Sequence, residues 1–350
     1  MEQAQADRSN RPESVDRRRV LKTIAAVGAA VALSGTRGLA ASLEPAHSAS
    51  TGEIPRRPLG KTGVNVSALC FGGAHWGGIE DETEAIRILH EAVDAGVTFL
   101  DNAWEYNYGR SEELMGKALQ GRRQQVFLMT KVCSHGRDKQ VALQQLDESL
   151  RRLKTDYLDL WQIHEVSYDD DPDRHFAPGG AVDALLEAKR QGKTRFIGFT
   201  GHKHPDLHLR MLARDFPFDT CQMPLNVFDG TYRSFEQHVL PVLNQRGIAP
   251  IGMKSLSGNA EPIKQGLVTP EEAIRYVLSL PIASLVSGID SRAVLKQNLD
   301  IVRRFTPMAS AEREALRTRV ARYAQDGRFE LFKSSRRYDG RIGREQHGIS

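Results

Sequence analysis

VTFLDNAWEYNYGRSEE, residues Val97–Glu113, is the stretch on which the reading of the chain turns. It begins as an apolar run of strand length and breaks at Asp101 into a polar loop holding Tyr106, Tyr108 and Gly109. A helical pattern then starts at Ser111, which the spacing makes the cap of the following helix. Alone the stretch is ambiguous, because Asp also starts turns and a loop Tyr also packs. Two later runs, VFLMTKV and YLDLWQIH, end in Lys131 and His164. Both have buried-strand length, and a titratable group at the exit of a buried strand has no packing reason to be there. Three successive strands thus deliver Asp101 with Tyr106, then Lys131, then His164, to one end of a sheet.

Outward from these strands the same unit repeats. RPLGKTGVNVSALCFGG predicts a hairpin around Gly60–Gly63, then a first barrel strand over Val66–Phe71. ETEAIRILHEAVDAG follows with helical spacing and a terminal glycine. Beyond His164, RFIGFTGH, DTCQMPLN, IAPIGMKS and IASLVSGID read as further strands, each followed by a helix. Eight strands alternating with eight helices over short connections predict a parallel (β/α)8 TIM barrel over 56–325, with an N-terminal β-hairpin. An extra C-terminal helix is expected over Ala309–Tyr323, then a basic, aromatic tail over 326–350 that either covers the barrel mouth or hangs free. An open doubly wound sheet is disfavoured, since no strand leads into a G-x-G-x-x-G turn. In barrels the chemistry sits at the C-terminal strand ends, where all four candidate groups fall.

On these residues the chain resembles an aldo-keto reductase. DNAWEY, MTKV and WQIH stand where that family has D-x-x-x-x-Y, T-K and Q-x-H, and the likeness runs from Arg57 to Arg303. The chemistry of the residues agrees. Reducing a carbonyl places negative charge on oxygen, so a proton donor and hydrogen-bond donors are needed there, and Tyr106 and His164 supply both. Lys131 is expected to lower the phenol's pKa, which is ordinarily near 10, with Asp101 holding the ammonium in place. The resemblance implies the same parts: Tyr106 as general acid, Lys131 and Asp101 as its tuning pair, His164 orienting the carbonyl.

No residue here supplies hydride, so a nicotinamide cofactor is required. The resemblance implies Gln222 and Thr200 at the carboxamide, although Gly201 and His202 stand where an asparagine is common. It also puts Met253 where an aromatic ring usually stacks on the nicotinamide. Lys254 and Ser255, with their backbone amides, suit a pyrophosphate. Gly288, Ser291 and Arg292 are the expected ribose-phosphate contacts, and Gln297 and Asn298 the adenine contacts. Val294 occupies the place of a common arginine, so NADPH over NADH rests on Arg292 or Lys296. Trp76, Trp104, Tyr108 and Phe228, on loops at the same end, are expected pocket walls for a small carbonyl substrate. One rival is a redox-sensing module that binds cofactor with little turnover. Another is a metal-dependent barrel hydrolase, for which one His and a Lys are the wrong ligand set at the strand ends.

The start of the chain carries a different signal. DRRRVLK, Asp16–Lys22, precedes an uncharged stretch over Thr23–Thr36, whose 14 residues fall short of the ~20 that span a membrane. Arg17 and Arg18 with Val20, Leu21 and Lys22 resemble a twin-arginine (Tat) signal, and GLAAS offers small residues for cleavage. Residues 1–41 are therefore expected to be a removed signal peptide read by the Tat export machinery. A mobile lead-in over 42–55, a periplasmic destination and no stable membrane anchor go with it. The signal holds seven basic and four acidic side chains, so the net charge of +4 falls to +1 without it. Nothing then calls for a nucleic-acid partner. Cys70, Cys133 and Cys221 lie on separate repeats without C-x-x-C spacing and read as small buried hydrophobes.

Overall fold

Alternation along the strands governs what points where. In the computed structural model, which describes residues 52–135 and 138–349, a short hairpin of β1 (Arg56–Pro58) and β2 (Asn65–Ser67) precedes a closed parallel barrel. The barrel strands are β3 (Leu69–Gly72), β4 (Phe99–Asp101), β5 (Phe127–Val132), β6 (Leu158–Ile163) and β7 (Thr194–Thr200). Then come β8 (Thr220–Pro224), β9 (Ala249–Met253) and β10 (Ser284–Gly288), which pairs with β3 to close the ring. The expected signal over 1–41 and the lead-in up to Thr51 lie outside the described residues.

Successive side chains on a strand face opposite ways. On β5, Phe127 and Met129 join the cluster that fills the barrel, while Leu128 and Val132 pack outward under the helices. Lys131 continues the inward column to the strand's C-terminal end. On β4, Phe99 is inward and Leu100 outward, so Asp101 is inward. The hairpin residues Leu59 and Val66 complete the inner cluster, and Lys61 N–H donates to Gly247 O just before β9. The N-terminal end of the barrel is thus plugged, and the open end is the one carrying Lys131.

The outer helices run from Glu82–Asp94 after β3 to Arg292–Arg303 after β10. In the first, Asp81 accepts from the Thr83 and Glu84 amides as cap, and Ala85, Ile88, Leu89, Ala92 and Val93 are buried at helical spacing. Three expectations need correction. The predicted strand over Val66–Phe71 divides, because Asn65–Ser67 pairs antiparallel with β1 before Leu69 enters the barrel. Ser111 is not a cap: the helix Arg110–Ala118 starts after Gly109, and the buried Ser111 hydroxyl donates to Gly73 O. Gly109 stands at φ +90°, where any side chain is strained, and a Cβ there would lie 2.7 Å from Arg152 Cζ and displace that guanidinium. The end of the lead-in also belongs to the fold, since Ile54 is buried and Pro55 O accepts from Ala68 N–H.

The extra helix spans Ser310–Val320, and the tail beyond it lies over the mouth. Lys333 is fully buried, 2.5 Å from Asp229 and 2.8 Å from Glu330, while Lys203 pairs with Asp339. No helix among the described residues is long and apolar enough to cross a membrane.

Candidate active site

At the open end, Lys131 Nζ contacts the Asp101 carboxylate and donates to Asn102 O at 2.7 Å and to Tyr106 Oη at 3.3 Å. Both charged side chains are almost wholly enclosed. The His164 ring stands edge-on to Tyr106, centroids 5.6 Å apart at 88°. The four candidate groups from three strands therefore meet in one cavity of about 1170 Å³. Positive φ at Asn107 and Tyr108 turns the loop sharply just after Tyr106, and Tyr108 stands on the rim, 89% exposed.

The electrostatics differ from the expectation for the phenol. Burial pushes the Tyr106 hydroxyl well above its ordinary value, and Asp101, Glu105 and Glu165 push it further. The expected lowering by Lys131 does not prevail, because Asp101 lies against the ammonium and the phenol meets an ion pair rather than a free cation. Two carboxylates that the motif reading passed over sit beside the histidines. Burial would raise the Glu105 carboxyl, but the His164 ring outweighs it and holds the carboxyl low; His164 Nδ1 is 2.9 Å from Glu105 Oε1. Burial opposes ionisation of Glu165 likewise, and His202, 2.9 Å away through Nδ1, holds it far below the carboxylate range. Glu105 was within reach of the sequence, one residue before Tyr106 in the quoted motif. Glu165 and His202 were not, since they meet only where β6 and β7 end side by side and the tail covers them.

Thr200, Gln222, Met253, Lys254, Ser255 and Gly288 line the same cavity, as do Trp104 and Tyr108. Trp104 is fixed by its indole N–H to Glu148 at 2.7 Å. Other expectations fail. Trp76 is wholly buried, donating to Ala85 O and packed on Phe71, and Phe228 is buried against Phe329; neither is a pocket wall. Trp76 ends the short helix Gly73–Trp76 and Phe228 sits in a turn, and both rings point into the core, where an apolar surface is best buried. Arg292 stands just outside the cavity wall, between the lining residues Asp290 and Val294 in sequence, with its guanidinium paired to Glu91 at 2.8 Å. Ser291 caps the helix Arg292–Arg303 by accepting from Val294 N–H. Gln297 lies in a separate groove of about 560 Å³ with Lys296, and Asn298 is buried, donating to Ser287 Oγ at 3.0 Å. The tail adds Arg337, Tyr338 and Arg341 to the cavity wall, which no motif announced.

These residues suit a nicotinamide dinucleotide. Buried Gln222 Oε1 and Asn298 Oδ1 have no hydrogen-bond partner among the described residues, and Lys254 has no carboxylate partner there. An amide acceptor for a carboxamide and a cation for phosphate are therefore both at hand.

The fold and this set of groups define a (β/α)8 barrel with an Asp, Tyr, Lys and His gathered at its C-terminal mouth. Residues 68–269 match the Aldo/keto reductase family, and the chain belongs to that family. It is similar to aldo-keto reductase YhdN of Bacillus subtilis, 31% identical over 214 residues, spanning 57% of this chain and 61% of that protein. L-galactose dehydrogenase of Arabidopsis thaliana is 31% identical over 231 residues, 63% of this chain and 68% of that protein. Among solved structures, the holo form of aldo-keto reductase AKR11C1 from Bacillus halodurans superposes with a TM-score of 0.65 at 27% identity, covering 76% of this chain and 96% of that one.

Proposed function

We propose that this chain is an exported, NADP-linked oxidoreductase that reversibly reduces an aldehyde or ketone to an alcohol. The observation that carries the reading is the Tyr106 hydroxyl, kept protonated by burial, 3.3 Å from Lys131 Nζ and beside His164 in the cavity. When bound, a reduced nicotinamide supplies hydride. The chain's own part is to place the carbonyl oxygen near Tyr106 Oη and His164 and to give it the phenolic proton, so that C=O becomes CH–OH. Lys131 then faces the phenolate left behind and stabilises it, with Asp101 keeping the ammonium in place. The Glu105 carboxylate, 2.9 Å from His164 Nδ1, would favour a proton on that nitrogen. Gln222 and Thr200 would hold the carboxamide, and Met253 would pack against the ring. Lys254 and Ser255 would meet the pyrophosphate.

The preference for NADPH rests on Arg292, an exposed residue whose partner Glu91 is half-buried. An ion pair in water is weak, so the guanidinium is free to exchange it for a 2′-phosphate. Export rests on the Arg17–Arg18 signal reading. The test of activity is direct: purified protein is mixed with NADPH or NADH and a panel of aldehydes, ketones and sugars, and the reduced cofactor's absorbance is followed. Cofactor binding without consumption across the panel would favour the redox-sensing reading instead.

A further inference from the structure

Beneath the tail, away from Tyr106, three segments remote in sequence bring ligand-type side chains together. His135 follows β5, Asp171 opens the helix Asp171–Phe176 after β6, and His347 follows the helix Arg341–Gln346. His135 Nδ1 lies 3.2 Å from Asp171 Oδ1, His347 Nε2 lies 2.8 Å from the same oxygen, and the two nitrogens are 3.3 Å apart. The three side chains are 1%, 0% and 6% exposed.

Hydrogen bonding accounts for two sides of this triangle, because the carboxylate oxygen accepts from each ring. With both rings donating to the carboxylate, the third side sets two N–H groups against each other. A tetrahedral ion would have edges of about 3.3–3.4 Å, from metal–nitrogen and metal–oxygen bonds of about 2.0–2.1 Å; the 3.2 and 3.3 Å sides match it, and the 2.8 Å His347–Asp171 side, now a hydrogen bond, would open by about half an ångström when an ion enters. The surroundings fit as well. Asp171 Oδ2 is occupied by the Ser167 and Tyr168 amides, both at 2.8 Å, which leaves Oδ1 for the cluster. His347 Nδ1 lies 3.5 Å from Asp170, the outer carboxylate partner that metal-bound histidines commonly have. One helical turn beyond Asp171, on the same face, His175 is fully buried with both ring nitrogens unpartnered among the described residues. The other titratable cluster under the tail is of a different kind. His202 Nδ1 there faces Glu165 at 2.9 Å, its Nε2 stays 4.0 Å from Asp339, and Lys203 already neutralises Asp339, so a cation is built into that cluster.

We propose that His135, Asp171 and His347, with a water in the fourth position, form a site for zinc or a similar divalent transition-metal ion, which clamps the C-terminal tail across the barrel mouth. Two neutral imidazoles and a carboxylate are a borderline ligand set suited to such ions. The tail residues Arg337 and Tyr338 wall the cavity, so the ion fixes one side of the substrate space without touching it.

The test uses untagged full-length protein dialysed against a chelator and titrated with cobalt(II) chloride, then zinc sulfate. One cobalt per chain with the visible absorption of a tetrahedral site, its displacement by zinc, a melting temperature raised by zinc and slower tryptic cleavage of the tail are expected. His135→Ala should weaken zinc binding at least ~100-fold, beyond what loss of an outer partner causes. His238→Ala, an exposed histidine elsewhere, should leave it unchanged. His347→Gln keeps a donor for Asp171, so it preserves a tail held only by hydrogen bonds yet loses the ion. Cobalt bound at well under one per chain by the wild type, or zinc affinity unaltered in His347→Gln, would overturn the proposal.

Discussion

Tyr106 lies 3.3 Å from an ammonium and still keeps its proton, because burial and three carboxylates outweigh a cation already paired with Asp101. The sign follows directly. A raised pKa means that the acid form persists as pH rises, so reduction should show no descending limb from Tyr106 between about pH 6 and 9. A wild-type kcat for reduction that falls through a pKa near 7–8, with the fall absent in Tyr106→Phe, would show the phenol to be acidic instead. In the same assay Tyr106→Phe should bind NADPH normally and lose ~10²–10⁴-fold in kcat. Near-normal kcat with a poorly activated ketone would remove Tyr106 as the proton donor. Asp101, Lys131 and His164 were legible because polar residues ended apolar runs, and the alternation with Phe99, Phe127 and Met129 sends the first two inward. The pairing of Glu105 with His164 was not legible, since it depends on the path of the loop between β4 and the next helix rather than on any period.

Elements were easier to read than their edges and their loop rings. The eight repeats follow from apolar runs of strand length alternating with helical spacing, and the barrel closes as that pattern requires. The strand before Leu69 was misread because Val66 and Cys70 share one apolar stretch although a turn of register separates hairpin from barrel. Trp76 and Trp104 both looked like rim aromatics, and only packing tells them apart. Trp76→Ala should cost about 3–5 kcal/mol of stability, the usual range for emptying a buried Trp site. Trp104→Ala should mainly raise KM; equal losses in urea midpoint for the two variants would contradict the assignment. At the start of the last barrel helix, Arg292→Ala should weaken NADPH and leave NADH nearly unchanged, because only the 2′-phosphate can replace Glu91. Equal weakening of both, measured by fluorescence titration, would make Arg292 a surface residue with no part in cofactor choice.

At the scale of the whole molecule, the export reading has a physical logic that the fold makes concrete. The cavity proposed to receive a nicotinamide dinucleotide is lined from eight strands and the tail, so cofactor would bind the native chain and not the unfolded one. Ligand bound only to the native state stabilises it by mass action, by about 2.7 kcal/mol when free ligand is 100-fold above Kd. Nicotinamide cofactors are made in the cytoplasm, so a chain carried out already folded leaves with its cofactor and an unfolded one does not. The three cysteines are buried and free, which means that folding needs no oxidising compartment. The twin-arginine resemblance of Arg17 and Arg18 points to the route that carries folded proteins. Replacing both with lysine keeps the charge and removes the paired guanidinium groups. Fractionated cells should then hold full-length precursor, active with NADPH, in the cytoplasm, whereas wild-type cells should yield the shorter form outside the inner membrane. If the shorter form still appears there in normal amount, export of the folded holoenzyme is excluded.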